Sequence, residues 1–338
     1  MSLTSGKNNT MPAATRETIL SIHNLSTFFY SEDLVIKAVD DLSLSVGRGE
    51  ILGIVGESGS GKSVTALSIL KLIRPPGKVV SGRLLFRGRD LAGLSPREMR
   101  SIRGDRISMI FQDPATSLNP SLTIGAQMSE SLKYHRGMKK SEALEKCEEL
   151  LEMVHIPRPG ERLRQYPHQL SGGMRQRVMI AIALSCNPEL LIADEPTTAL
   201  DVTIQSQILD LIKELRDKYG TAIILITHDI GVIAETADKV AVMYCGKILA
   251  FGQTRTLLTR SVHPYLSALV EATPRLDDEV GRLNAIPGLV PNLGDLPRGC
   301  HFSPRCGLAV EQCRREMPQM RRVDGHLTRC WLASPEPS

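Results

Sequence analysis

The stretch Gly56-Glu57-Ser58-Gly59-Ser60-Gly61-Lys62-Ser63 follows the apolar run Ile51-Leu52-Gly53-Ile54-Val55 and leads into Val64-Thr65-Ala66-Leu67-Ser68-Ile69-Leu70. The order strand, glycine-rich turn, helix places a phosphate-binding loop on an α/β sheet. Glycines let the backbone wrap closely round a polyphosphate and aim N–H donors at it, with the positive end of the next helix behind them. In this reading Lys62 reaches the β- and γ-phosphates and the Ser63 hydroxyl sits on Mg²⁺. Gly56, Ser58, Gly59, Ser60, Gly61 and Val64 complete the cradle.

Composition bounds the rest. The 338 residues allow two domains, and 42% apolar with 23% charged residues is ordinary for a globular chain. No run approaches the roughly 18 uninterrupted apolar residues that span a bilayer, so a membrane role needs a partner. Residues 1–18 are polar, with Gly6, Asn8, Asn9 and Pro12, and lack the apolar centre of a signal peptide, so a flexible tail is expected. The net charge of +4 is spread along the chain and aromatics make up only 4%, which argues against a nucleic-acid partner. Cys147, Cys186 and Cys245 stand singly in helix or strand patterns and read as small buried hydrophobes.

Residues 19–29 and 34–46 read as strands, with Gly47-Arg48-Gly49 as a turn. Phe29 and Tyr30 are candidates to stack on a nucleotide base, packing over a sheet edge being the alternative. Residues 82–86 form a further short strand and 97–102 a helical turn. Ile107-Ser108-Met109-Ile110-Phe111 reads as a buried strand closing on Gln112, whose amide suits a place where Mg²⁺ and an attacking water are sensed. From Ile124 to Asn187 the period is helical, with Ser141 expected to cap an amphipathic run through Met153. Within it, Leu170-Ser171-Gly172-Gly173-Met174-Arg175-Gln176-Arg177 opens a helix with a hydroxyl and paired glycines, a second anion site. Two such sites in one chain make sense if the second serves another subunit's ligand.

Leu190-Leu191-Ile192-Ala193-Asp194-Glu195 is a strand ending in two carboxylates. Asp194 suits holding Mg²⁺ through water at the strand's carboxyl edge, and Glu195 suits polarising the attacking water. Ala199-Leu200-Asp201 and a helix over 202–218 follow, then the strand 222–227, which ends in His228-Asp229. His228 is placed to hydrogen-bond a γ-phosphate, a structural histidine being the plainer reading. His23, His135, His155 and His326 are read as structural.

In order and rough spacing, the phosphate loop, Gln112, the Leu-Ser-Gly-Gly stretch, Asp194-Glu195, Asp201 and His228 resemble the nucleotide-binding subunit of an ABC transporter over residues 19–255. The resemblance implies an α/β fold: a RecA-like P-loop ATPase core with an antiparallel β subdomain, an α-helical signature subdomain inserted at about 114–187, and a C-terminal extension over 256–338. It also implies a head-to-tail dimer. ATP would lie between Lys62 of one subunit and Ser171, Gly172 and Gly173 of the other, with Asp201 beside it. Met174 departs from the commoner glutamine. That form, with Phe111-Gln112-Asp113-Pro114, Ser117-Leu118-Asn119-Pro120, His263-Pro264-Tyr265 and Ile286-Pro287-Gly288 through Pro304-Arg305-Cys306, is similar to the ATPase subunits of dipeptide and oligopeptide importers.

Such a subunit would hydrolyse ATP at the cytoplasmic face of the membrane to power peptide uptake. Its partners would be a second, different ATPase subunit, two transmembrane permeases and an extracytoplasmic peptide-binding protein, with no nucleic acid. Importers of nickel, glutathione or haem use similar subunits. Soluble ABC ATPases acting on DNA or ribosomes fit less well, because the interval from Gln112 to Ser171 is too short for a coiled-coil arm and there is one phosphate loop.

Cys300, Cys306, Cys313 and Cys330 have the spacing C-x5-C-x6-C-x16-C. Clustered thiols in a cytosolic protein favour a metal over disulfides. The gaps are wider than those of usual zinc sites, soft thiolates suit an iron–sulfur cluster, and the resemblance points to [4Fe–4S]. Zn²⁺ and free thiols remain alternatives. A bound cluster would staple a tail poor in apolar residues.

Overall fold

A computed structural model describes residues 16–32, 34–197, 201–260, 263–273 and 286–333. The first fifteen residues of the expected tail, and Ala199 and Leu200, lie outside the described residues. In chain order the strands are β1 (Thr18–Tyr30), β2 (Val35–Gly47), β3 (Ile51–Val55), β4 (Gly77–Phe86), β5 (Arg89–Asp90), β6 (Ile107–Ile110), β7 (Leu190–Asp194), β8 (Ala222–Thr227), β9 (Lys239–Tyr244), β10 (Lys247–Gln253), β11 (Arg321–Val323) and β12 (His326–Thr328).

The fold is the α/β architecture that the resemblance implies. Four strands make an antiparallel sheet in the order β2-β1-β4-β5. Eight make a mixed sheet in the order β11-β12-β10-β9-β3-β8-β7-β6. Its central strands are apolar up to their last residues, because a parallel sheet is covered on both faces and has no solvent side to alternate with; β3, β7 and β8 are buried at every position. Leu52 and Ile54 of β3 point into one core shared with Leu20, Ile22, Leu42 and Leu44 of the antiparallel sheet. Ile51 and Val55 face a second core, which continues into the helical region through Ile124, Met128, Cys147 and Leu151.

The helical region comprises Ile124–Arg136, Lys140–Met153, Pro159–Arg162 and Gly172–Leu184. Thr123 caps the first of these by accepting from the N–H of Ala126, and Gly137 at φ 65° ends it. Contrary to the sequence-based expectation, Ser141 does not cap the second helix: it lies inside the first turn. The Glu142 carboxylate instead accepts the N–H of Lys139 at 3.0 Å. An acid in the first turn also complements the helix dipole, which a serine hydroxyl does only weakly. A second departure concerns Phe111. The strand stops at Ile110, and Phe111 stands 41% exposed at the mouth of a groove.

The C-terminal segment shares the main core. The helix Pro264–Glu271 buries Tyr265 and Leu266 completely, and Phe302 packs edge-on against Tyr244 with ring centroids 5.4 Å apart. Tyr265 closes the aromatic group at 4.7 Å from Tyr244 and 5.2 Å from Phe302. Strand β12 pairs antiparallel with β10 through Ala250–Thr328 and Phe251–Leu327, so the hairpin β11–β12 extends the main sheet.

Candidate functional site: a nucleotide-phosphate site at the carboxyl edge of the main sheet

Parallel pairing brings the functional ends together. Val55 is level with Thr227 on one side and with Val242 on the other, Asp194 with Ile226, and Ile110 with Ala193. The residues that follow, Gly56, His228, Glu195 and Gln112, therefore emerge at one edge, where parallel α/β sheets bind ligands.

The phosphate loop requires glycine for two different reasons. Gly61, at φ 103°, turns the chain into the helix Lys62–Ile69 in a left-handed conformation that side chains avoid. At Gly56 the issue is room: a Cβ would lie 2.1 Å from the Met243 carbonyl oxygen. Lys62 is only 5% exposed, and its Nζ donates to the carbonyls of Gly56 at 2.7 Å and Glu57 at 3.1 Å, curling the ammonium back over the loop. Burial lowers its pKa, while Glu195, Asp194 and Glu57 pull it back up.

Ser63 Oγ donates to Asp194 Oδ1 at 3.1 Å. Burial raises the Asp194 pKa, the Ser63 hydrogen bond opposes this, and the Glu195 charge adds to it. A hydroxyl and a carboxylate of depleted solvation, close together at the phosphate edge, are the hard oxygen donors that Mg²⁺ takes. Glu195 follows at φ 48°, in the left-handed region, and its side chain is 12% exposed. Gln112 Nε2 donates to Glu195 Oε2 at 2.9 Å, and His228 Nδ1 lies 3.4 Å from Glu195 Oε1. A carboxylate held at both oxygens is aimed, as a group that orients water must be.

Ser171 caps the helix Gly172–Leu184, accepting from the Met174 N–H at 3.3 Å. Ser171 and Gly172 are exposed, and a Cβ on Gly172 would meet nothing within 4 Å. This helix start faces outward, while Gly173 rests on Ile204 and Met174 packs against the core. Asp201 caps the helix Val202–Tyr219 by accepting from Ile204 N–H at 2.9 Å. Of the two aromatic candidates, Phe29 lies against Gly77, where a Cβ would come 2.5 Å from its ring, and Tyr30 carries Lys78 Nζ 4.6 Å from its ring centroid.

A groove runs beside this edge, lined by Ser63, Phe111, Gln112, Thr116 and Ser117. Cys147, Cys186 and Cys245 are buried as expected, and burial raises all three thiols, Cys147 and Cys245 to about 12.

Cys300, Cys306, Cys313 and Cys330 surround one small cavity, and none of them is in a disulfide. Burial raises the Cys300 thiol to about 11, with neighbouring Cys313, Cys330 and Cys306 adding to the rise. Among the described residues, however, no group of three or more His, Cys, Asp or Glu side chains is gathered closely enough to hold a metal ion. The [4Fe–4S] and Zn²⁺ expectations thus have the shared cavity in their favour and no assembled ligand set.

Two side chains of the site carried no local signal. The Tyr265 hydroxyl accepts from the Glu57 N–H at 3.0 Å, and Arg305 grips the Glu57 carboxylate.

The family model "ABC transporter" matches residues 39–198, and "Oligopeptide/dipeptide transporter, C-terminal region" matches 251–313. The oligopeptide transport ATP-binding protein AppD of Bacillus subtilis is 49% identical over 321 residues, 94% of this chain and 98% of its own length. The dipeptide transport ATP-binding protein DppD of Escherichia coli is 49% identical over 313 residues, 92% of this chain and 96% of its own. Among solved structures, the ATP-binding cassette MJ0796, a dimer in a post-hydrolysis state bound to ADP and Pi, superposes with a TM-score of 0.64 at 30% identity, covering 70% of this chain and 99% of that one. With the phosphate loop, the Asp194-Glu195 pair and the exposed start of the helix Gly172–Leu184 in place, these likenesses establish that the chain belongs to the ATP-hydrolysing subunits of ABC transporters, in the oligopeptide/dipeptide branch.

Proposed function

We propose that this chain powers import of dipeptides or oligopeptides, and that the site residues act as follows. Lys62 and the loop N–H groups of residues 57–63 hold the β- and γ-phosphates of ATP. Ser63 and Asp194, with Gln112 at hand, would hold Mg²⁺, which when bound offsets the charge that gathers on the phosphoryl oxygens. Glu195, aimed by Gln112 and His228, orients a water for in-line attack on the γ-phosphorus; the γ-phosphate leaves as inorganic phosphate and the bond to ADP breaks. The observation that carries this reading is the common edge formed by β3, β6, β7 and β8, which puts the loop, Gln112, Glu195 and His228 side by side.

Ser171 and Gly172 are exposed at the helix start, with Gly173 behind them on Ile204, which supports a second ATPase subunit as the molecule whose nucleotide these three residues complete, with Asp201 near the same junction. The groove beside Gln112 and Phe111 suits a segment of a membrane permease. No helix among the described residues is long and apolar enough to cross a membrane, and the chain would work peripherally at the cytoplasmic face. A different ATPase subunit as partner, and a peptide-binding protein outside the membrane, rest on the importer resemblance. For the four tail cysteines we favour a [4Fe–4S] cluster as a structural staple, supported by their shared cavity and their soft sulfur donors.

Reconstitution with its permeases and binding protein in vesicles tests the transport reading. Di- and oligopeptides should stimulate ATP hydrolysis and accumulate, whereas stimulation by nickel, glutathione or haem alone would reassign the cargo. Iron and zinc analysis with an absorption spectrum of anaerobically purified protein tests the cysteines, and an intact, colourless, metal-free protein would remove the cluster.

A further inference from the structure

The first variable position of the phosphate loop is an acid, Glu57. A carboxylate there places negative charge beside the triphosphate the loop must hold, a cost that glycine, serine or proline would not incur. The structure shows how that charge is managed. Arg305, 248 residues away, donates from Nη1 to Glu57 Oε2 at 2.6 Å and from Nη2 to Oε1 at 3.1 Å, a bidentate fork. The Arg305 side chain is only 3% exposed and Glu57 is 28% exposed. Arg305 is itself fixed on its other edges: Nε donates to the Pro287 carbonyl at 3.0 Å, Nη2 to that of Ile286 at 3.1 Å, and Nη1 to the Tyr244 hydroxyl at 3.3 Å. Burial works against the guanidinium charge, but the Glu57 and Tyr244 hydrogen bonds outweigh it and raise its pKa.

Glu57 is thereby held at three points. Arg305 takes its carboxylate, the Tyr265 hydroxyl accepts its N–H, and Lys62 donates to its carbonyl. The first two of these partners lie beyond residue 255, outside the strands and helices that make the catalytic edge. Arg305 is presented by a turn in which the Ser303 N–H donates to the Cys300 carbonyl and the Arg305 N–H to that of Phe302.

We propose that Arg305 is a positioning residue of the ATPase, which neutralises and orients Glu57 so that the phosphate loop binds the triphosphate. The C-terminal segment thus takes part in nucleotide affinity. The inference rests on the ATPase reading and adds a residue to it. Were Arg305 a structural anchor only, its loss would lower the melting temperature and leave nucleotide affinity alone.

The test is ATP binding by titration calorimetry, with KM and kcat measured in the assembled complex. Arg305→Ala should weaken ATP binding about tenfold, as expected when a buried charge loses its partner, and the loss should fall mainly on KM. Removing the stranded carboxylate as well, in Glu57→Gln/Arg305→Ala, should restore affinity to within about threefold of wild type. Wild-type affinity in Arg305→Ala, or a double variant no better than the single one, would overturn the inference. If Arg305→Ala does not fold, Arg305→Gln and its combination with Glu57→Gln give the same comparison, because glutamine removes the positive charge while keeping part of the side chain's length and a hydrogen-bonding amide. A wild-type protein that binds no ATP would remove the ATPase reading itself, an outcome distinct from equal binding by wild type and variant.

Discussion

Gln112 donates an amide N–H to Glu195 at 2.9 Å, joining the end of β6 to the residue that follows β7. Gln112 also lines the groove beside Phe111. Under the proposed roles, a permease segment pressing into that groove would displace the amide and so re-aim the carboxylate. Removing the amide in Gln112→Ala should lower kcat about tenfold while ATP affinity changes little. Glu195→Gln should lower it about a hundredfold or more and retain ATP in a long-lived closed dimer. Phosphate release and ATP binding measured on the same preparations separate the two effects, and near-normal turnover of Glu195→Gln would refute its role.

The signature serine should behave differently. Ser171→Ala loses a helix cap, worth about 1 kcal/mol, but Ser171 is exposed and, in the proposed reading, serves the nucleotide of the other subunit. The isolated variant should therefore bind ATP as wild type does, while the assembled complex hydrolyses it more slowly. A matching loss of ATP binding by the isolated chain would place Ser171 at its own subunit's nucleotide.

Phe302 tests how far the C-terminal segment supports the core. It is 2% exposed and touches both Tyr244 and Tyr265. Phe302→Ala should cost about 3–5 kcal/mol. Denaturant unfolding would read this as a shift of the midpoint of the whole chain, since the same core contains β-sheet residues such as Val242 and Leu249. An early, separate transition confined to the tail would count against the shared core.

Thiol chemistry supplies a pH test. Cys147 and Cys245 are raised to about 12, and the thiolate is the reactive form. Since a raised thiol pKa keeps the proton on, both should resist iodoacetamide in the native protein up to mildly alkaline pH and react once it is unfolded. Mass spectrometry of native and denatured samples gives the comparison; rapid native labelling of either would contradict their burial.

The parts of this protein that could be read from sequence are those whose chemistry is local. A phosphate loop needs its glycines, lysine and serine in one short run, and Asp194 and Glu195 need only a strand to end. Caps and edges were harder. Ser141 has the right residue type for a cap, but the neighbouring Glu142 takes that role from inside the helix. Phe111 continues an apolar run, yet the sheet stops one residue earlier. Arg305 and Tyr265 could not be connected to the loop at all. Each meets Glu57 only because the chain returns across more than two hundred residues, and a lone acid in the loop does not say which distant base or hydroxyl will answer it.

The hairpin β11–β12 sets the order in which the protein can be completed. Strand β10 pairs with β9 on one flank and with β12 on the other. A ribosome delivers the first flank at once but supplies residues 326–328 several seconds later at ordinary rates of synthesis. During that interval the catalytic edge can assemble while the far flank of the sheet stays open. Synthesis of β12, rather than formation of the phosphate loop, is therefore the step that lets the main sheet close.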